Sequence, residues 1–478
     1  MNTLCILHVA SELAPLTGNG LLAREVSHLS SAMAELGLDV TVAVPGHRIP
    51  EPTSVGLARR LRPLVVPATA PGTGDRAVDA FESTVHEGKL AGGRVKVLAL
   101  DVPAGLREDA QRGAWAFCQA AVTAMQAGLR PGAAPDVVIV GPGTELAASL
   151  ARAVWRGDHA PLTLLALRDQ SDLSTVTEIM PHVDLVVASS PSRAEQVRAL
   201  PATDPLGRAL EGAVQRQAIH GILGGIDTLA WNPQHDGLDS RNDMDHLAAS
   251  KAERKRQLKR RLGLRGGAQA SLLALVGPFD DDVLTETAAE ELALCDTLLV
   301  VLAHAERDRV ASQRFEHLAR RGRGVLLSFA TLDELRTLER ELLCAADFAL
   351  FAGRHPNTAL CELQAMHYGV APIAVRGPVY SDLLTEFEMR TGTGSGFLFD
   401  ADRQGSLAAA VDRALRVYRQ PRAFKVLIER AVRFDLSWRT AAIRHTELII
   451  EARRGRHRPA TASHVQSDVQ GDAAAAAP

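Results

Sequence analysis

Three short segments carry residue types that could do chemistry, and each follows an apolar run. Leu16-Thr17-Gly18-Asn19-Gly20 is a glycine-bearing loop between the apolar Leu4–Ala10 and the amphipathic Leu21–Leu36. Gly277-Pro278-Phe279-Asp280-Asp281-Asp282 follows Leu272–Val276 and gathers three carboxylates. Such a run repels an anion unless a divalent cation intervenes. A solvated acidic loop is the plainer expectation, so no metal and no other cofactor is assigned. Arg354-His355-Pro356 follows Phe348–Phe351. Its imidazole is a candidate substitute acid or base, weighed against a plain loop histidine. Pro356 offers neither acid, base nor N–H.

Loops of this kind need strands to hold them. Leu4–Ala10, the loop, Leu21–Leu36 and the apolar Asp39–Val44 read as β-loop-α-β, the unit of a parallel sheet. Further strands are predicted at Val95–Leu100, Asp136–Val140, Leu162–Leu167 and Leu185–Ala188, with helices over Ala110–Ala127 and Glu145–Val154. Ser190 before Pro191 is a good N-cap with proline in the first turn. A second series follows at Ser271–Val276, Leu298–Leu302, Val325–Leu327, Phe348–Phe351 and Val370–Val375. The fold class is therefore α/β, two Rossmann-like doubly wound domains facing a cleft, with ligands expected at the carboxyl ends of the strands.

The 478 residues suit two domains and a tail, and 46% hydrophobic with 23% charged residues is a globular composition. A net charge of -3 argues against a nucleic-acid partner, which requires a concentrated positive field. Cys5, Cys118, Cys295, Cys344 and Cys361 form no C-x-x-C pair and read as small, reduced core residues of a cytoplasmic protein. The first residues lack a basic region and a long apolar one, so no signal peptide is expected, and no run is long enough to span a membrane. The expected boundaries are 1–235 for the first domain, 236–265 for a linker with a basic helix, and 266–436 for the second domain. A C-terminal helix over 437–454 is expected to pack back towards the first domain, ahead of a disordered tail at 455–478. The basic stretch Lys251–Arg261 is read as a solvated amphipathic helix, with a polyanion site as the rival reading.

Several landmarks resemble one family. Ser11-Glu12-Leu13-Ala14-Pro15 with Gly20, Leu22 and Ala23 is similar to the S-E-x-x-P-x-x-K-T-G-G-L-A-D opening of glycogen and starch synthases. Gly225-Ile226-Asp227 followed by Trp231-Asn232-Pro233 resembles their N-G-I-D-x-x-x-W-N-P segment. Ala365-Met366-His367-Tyr368-Gly369-Val370-Ala371-Pro372 is similar to A-L-K-Y-G-T-L-P, Phe397 and Phe399 to G-F-x-F, and Phe434-Asp435-Leu436-Ser437-Trp438 to the closing F-S-W. The landmarks keep family order from residue 11 to residue 438, so the resemblance covers nearly the whole globular part and implies the GT-B architecture.

The resemblance also implies an activity, metal-free extension of an α-1,4-glucan from ADP-glucose with retention of configuration. A departing diphosphate needs fixed positive charge and N–H donors. At the matching positions the first-loop Lys falls on Gly18 and the second Gly of its pair on Leu21. S-R-L-x-x-Q-K-G is replaced by Gly277–Asp282, the Glu before C-G-L falls on Pro356, and T-G-G becomes Gly377-Pro378-Val379. H-D-W falls on Gly141-Pro142-Gly143 and H-N on Arg168-Asp169. No catalytic residue is assigned, although His355 is a weak candidate. Glu12, Gly18, Gly20, Arg168, Arg354 and Asp382 are the cleft or substrate-binding candidates. Losing one preorganised donor costs roughly 10²–10³ in rate, and such losses do not simply add. The preferred reading is a catalytically impaired homologue that binds α-glucan or a protein partner in glycogen metabolism. An active ADP-glucose enzyme, or one using another nucleotide sugar, is the alternative. Aromatic residues make up only 4% of the chain and leave few platforms for sugar rings.

Overall fold

Short valine- and leucine-rich runs such as Val137–Val140 and Leu350-Phe351 are apolar on every residue, as strands covered on both faces must be. The computed structural model of the protein describes residues 3–18, 20–68, 78–128, 133–157, 160–168, 171–228, 230–238, 244–267, 269–276, 283–304, 310, 313, 315, 324–329, 332–353, 360–435 and 437–456. Within these, β1 (Cys5–Val9), β2 (Asp39–Pro45), β3 (Ala58–Arg59), β4 (Leu64–Val66), β5 (Phe81–Lys89), β6 (Lys96–Asp101), β7 (Val137–Val140), β8 (Leu162–Ala166), β9 (Leu185–Ala188) and β10 (Ile219–Gly221) belong to one sheet. Its order is β10-β9-β8-β7-β1-β2-β6-β5-β3, with β4 also pairing β5.

The second sheet is β11 (Leu272–Val276), β12 (Leu298–His304), β13 (Gly324–Phe329), β14 (Phe348–Phe351), β15 (Ala371–Val375) and β16 (Phe397–Phe399). All five of its pairings are parallel, in the order β13-β12-β11-β14-β15-β16. That order reverses at β11/β14, the switch point where doubly wound sheets open a crevice. The architecture is GT-B, two Rossmann-like halves facing each other.

One element escapes the parallel pattern. β5 pairs antiparallel with β6, and β3 and β4 pair antiparallel with β5. Its sequence Phe-Glu-Ser-Thr-Val-His-Glu-Gly-Lys alternates in burial around Ser83 and Val85, the period-two signature of a strand with one wet face. No helix separates it from β6, so an α/β alternation cannot announce it.

The basic helix is a second correction. It runs Met244–Leu262, and Lys251 and Lys255 are buried instead of solvated. Lys251 Nζ donates to the carbonyls of Leu343 (2.9 Å) and Tyr368 (3.0 Å), and burial pushes its pKa down to about 8. Lys255 Nζ donates to Asp347 Oδ2 at 2.7 Å and to the Tyr418 hydroxyl at 2.9 Å. The same Asp347 oxygen accepts from the Leu272 N–H at 2.8 Å, which pins the start of β11.

The helix Trp438–Arg456 leaves the second domain and lies on Leu21–Glu35 of the first. Arg453 pairs with Asp136 at 2.7 Å, Arg456 pairs with Asp184, and the Trp438 ring stacks on His28. Gly224 makes room for it, since a Cβ there would sit 2.9 Å from the indole. The tail beyond residue 456 lies outside the described residues.

Asp347 is buried, bound to a buried cation and to a backbone N–H, so removing it strands Lys255 in the core. Asp347→Ala is expected to cost about 3–5 kcal/mol in urea unfolding. A loss below about 1 kcal/mol would show that the pair does not hold the second sheet.

Candidate substrate cleft

The carboxyl ends of β1, β7, β8 and β9 form the first wall. At the end of β1, Ser11 Oγ donates to the Pro142 carbonyl at 2.9 Å, and Thr144 Oγ1 donates to the Val9 carbonyl at 2.8 Å. The turn Gly141–Thr144 is thereby tied to β1. Gly143 supplies a positive φ of 78° and no side chain, so the Gly141-Pro142-Gly143 segment brings neither imidazole nor carboxylate.

Glu12 is partly exposed and faces Arg48, whose Nη1 lies 3.3 Å from Glu12 Oε1. Gly20 is the N-cap of Leu21–Glu35 without a side-chain cap, and a Cβ on it would lie 3.4 Å from Glu12 Oε2. Gly18 has φ 143° and open space around it. Glu12, Gly18 and Gly20 thus share one loop mouth, where the charges present are a paired Glu12 and Arg48. Gly18 brings no side chain to it.

Arg168 is directed inwards. Its side chain is 7% exposed and forms a two-pronged ion pair with Glu25 on Leu21–Glu35, with Nε 3.2 Å from Oε2 and Nη2 on Oε1. Nη1 donates to the carbonyls of Leu167 (2.8 Å) and Val187 (3.0 Å). Two buried histidines flank the pair. His8 lies with Nδ1 3.1 Å from Ser30 Oγ, and burial holds its pKa down to about 3. His445 Nδ1 donates to the Ala441 carbonyl at 2.8 Å, and burial holds it down to about 4. Neutral imidazoles add no charge here, so Arg168 is matched by Glu25 and presents no net positive field to the cleft.

Asp382 crosses between the domains. It sits on the helix Pro378–Leu383 and accepts from the Ser192 N–H (2.7 Å) and the Ser192 hydroxyl (2.7 Å). Ser192 lies in the first turn of Pro191–Arg198, whose N-cap Ser190 accepts from the Arg193 N–H at 3.1 Å. The carboxylate therefore complements the positive end of a first-domain helix and ties the two walls together. Arg193 and the exposed Arg376, which leaves β15 at its carboxyl end, are the cations that sequence reasoning missed here.

Arg354, His355 and Pro356 lie outside the described residues, as do Asp169 and Gly277–Asp282. Just beyond, the helix Leu360–His367 buries Glu362. Among the described residues its Oε2 has no hydrogen-bond partner, and burial pushes its pKa up to about 7 against a bond from Tyr380. Its spacing to Ala365 and Met366, three and four residues on and both buried, is the signal by which sequence alone marks it as facing inwards. Among the described residues, no group of three or more His, Cys, Asp or Glu is placed to hold a metal ion, and no helix is long and apolar enough to cross a membrane.

Residues 5–141 match the family model described as starch synthase catalytic domain. The glycogen synthase of Aromatoleum aromaticum is 28% identical over 94% of this chain and 97% of its own length. That of Syntrophotalea carbinolica is 29% identical over 62% of this chain, which spans only 60% of that relative. Among solved structures, the catalytic domain of starch synthase IV from Arabidopsis thaliana, bound to ADP and acarbose, superposes with a TM-score of 0.74 at 20% identity. That superposition covers 95% of this chain and all of the other.

The raised Glu362 pKa has a sign that can be tested. The folded chain holds this proton more tightly than the unfolded one, so its stabilising effect is complete below the ordinary value of 4.5 and is lost as pH rises through about 7. Glu362→Gln is expected to be more stable than the parent by on the order of 3 kcal/mol at pH 8.5, and equal to it near pH 4.5. Denaturant melts giving the same difference at both pH values would contradict the assignment.

Proposed function

We propose that this chain, a GT-B protein related to the glycogen and starch synthases, is a homologue impaired in glucosyl transfer that acts in glycogen metabolism by binding glucan or a protein partner. The observation that carries the reading is the state of Arg168. Arg168, the first-wall cation that the sequence offers, is locked onto Glu25, while the loop position that resembles the family's lysine is Gly18 and the position that resembles its glutamate is Pro356. A diphosphate leaving group draws its stabilisation from such fixed charges, which act strongly because they need no rearrangement during reaction. Asp382, fixed to Ser192, is also unavailable as a free carboxylate in this arrangement.

The starch synthase IV structure holds ADP, so a nucleotide sugar is the donor class to test first. The absence of a membrane-spanning helix among the described residues fits a cytoplasmic site of action. The full chain, assayed at high concentration with ADP-glucose and glycogen, is expected to release ADP no faster than an enzyme-free control. Sustained ADP release with growth of the glucan would overturn the reading. Retardation by glycogen in a native gel separates the two modes of action, because a glucan binder is slowed and a partner subunit is not.

A further inference from the structure

The helices Met244–Leu262 and Leu332–Ala345 lie side by side and, with the segment around Asp236, line an open cavity of about 750 Å³. It lies at the opposite end of the second sheet from the substrate cleft. Lys251 and Lys255 anchor the first helix to Leu343, Tyr368 and Asp347, residues that precede β14 and β15, whereas a doubly wound sheet takes its cofactor or donor at the carboxyl ends of the strands.

The lining includes three guanidinium groups, Arg254, Arg261 and Arg340, and two carboxylates, Asp236 and Glu341. The carboxylates have partners, since Tyr368 donates its hydroxyl to Asp236 and Arg261 pairs with Glu341. Arg254 gives one N–H to the Asp236 carbonyl at 2.9 Å. Arg340 lies over Trp231, with Cζ 4.6 Å from the ring centroid, and among the described residues no acceptor takes its N–H groups. A cation–π contact holds a guanidinium over the ring without using its N–H donors, which can then receive an oxyanion in two-pronged fashion.

We propose that this cavity is a second ligand site that binds a phosphorylated monosaccharide, with the phosphate on Arg340 and Arg254 and the hydroxyls on Gln257, Glu341 and Asp236. The cavity has the size of a small-metabolite pocket, and its paired carboxylates are acceptors for hydroxyl groups beside the guanidinium groups of Arg340 and Arg254. The assignment stands on residues remote from the cleft and holds whether or not the chain transfers glucose.

The test is titration calorimetry of the full chain with glucose 1-phosphate, glucose and inorganic phosphate as separate probes. Glucose 1-phosphate is expected to bind, with glucose and inorganic phosphate each weaker. Arg340→Gln and Arg254→Gln should each weaken it roughly tenfold or more, while Arg376→Gln at the cleft edge leaves it unchanged. Arg340→Lys, which keeps the charge over Trp231, should also lose affinity because the two-pronged geometry goes, and an unchanged thermal melt shows that the fold is intact. Absence of binding, equal binding of inorganic phosphate, or binding abolished by Arg376→Gln and indifferent to both other arginines would each overturn the proposal.

Discussion

The ion pair between Arg168 and Glu25 is the constraint from which the rest of the cleft takes its character. It joins the end of β8 to the first long helix in a setting where both side chains are nearly excluded from water. A guanidinium so placed cannot leave without stranding a carboxylate, and breaking a buried pair by removing one partner is costly. His8 and His445 reinforce the arrangement by staying neutral. The first wall thus uses its charge to hold the helix Leu21–Glu35 against the sheet. A loop without a side chain at Gly18 does not replace that charge.

The same pattern recurs between the domains. Asp382 satisfies the first turn of Pro191–Arg198, and the helix Trp438–Arg456 returns to the first domain through Arg453, Arg456 and the Trp438 ring. Polar groups that lie near the space between the sheets therefore serve cohesion. The guanidinium of Arg340, which gives its N–H groups to no acceptor among the described residues, lies elsewhere, at the amino end of the second sheet.

Much of this was legible in the chain itself. Continuous apolar runs separated by helical periodicity mark most of the parallel strands, because strands covered on both faces have no polar side to show, whereas the three-residue β10 and β16 are too short to be marked in this way. Ser190-Pro191 marks a helix start by its capping chemistry alone. β5 was not legible in an α/β alternation, because no helix separates it from β6 and it turns one face to water. The burial of Lys251 and Lys255 was hidden for a different reason. Their acceptors are the carbonyls of Leu343 and Tyr368 and the carboxylate of Asp347, about a hundred residues away, and no local pattern encodes such partners. Arg168 shows the limit most clearly. A cation after a strand end looks available in sequence, and only the facing helix shows that Glu25 has claimed it.

The central claim is that Arg168, the cation the sequence offers at the first wall, is held by Glu25 and gives a nucleotide diphosphate no free charge. Calorimetric titration of ADP into the full chain at low ionic strength, where charge attraction is least screened, tests it directly. The account predicts binding weaker than about 1 mM, equivalent to less than about 4 kcal/mol. A saturable micromolar affinity that falls steeply with added salt would contradict it.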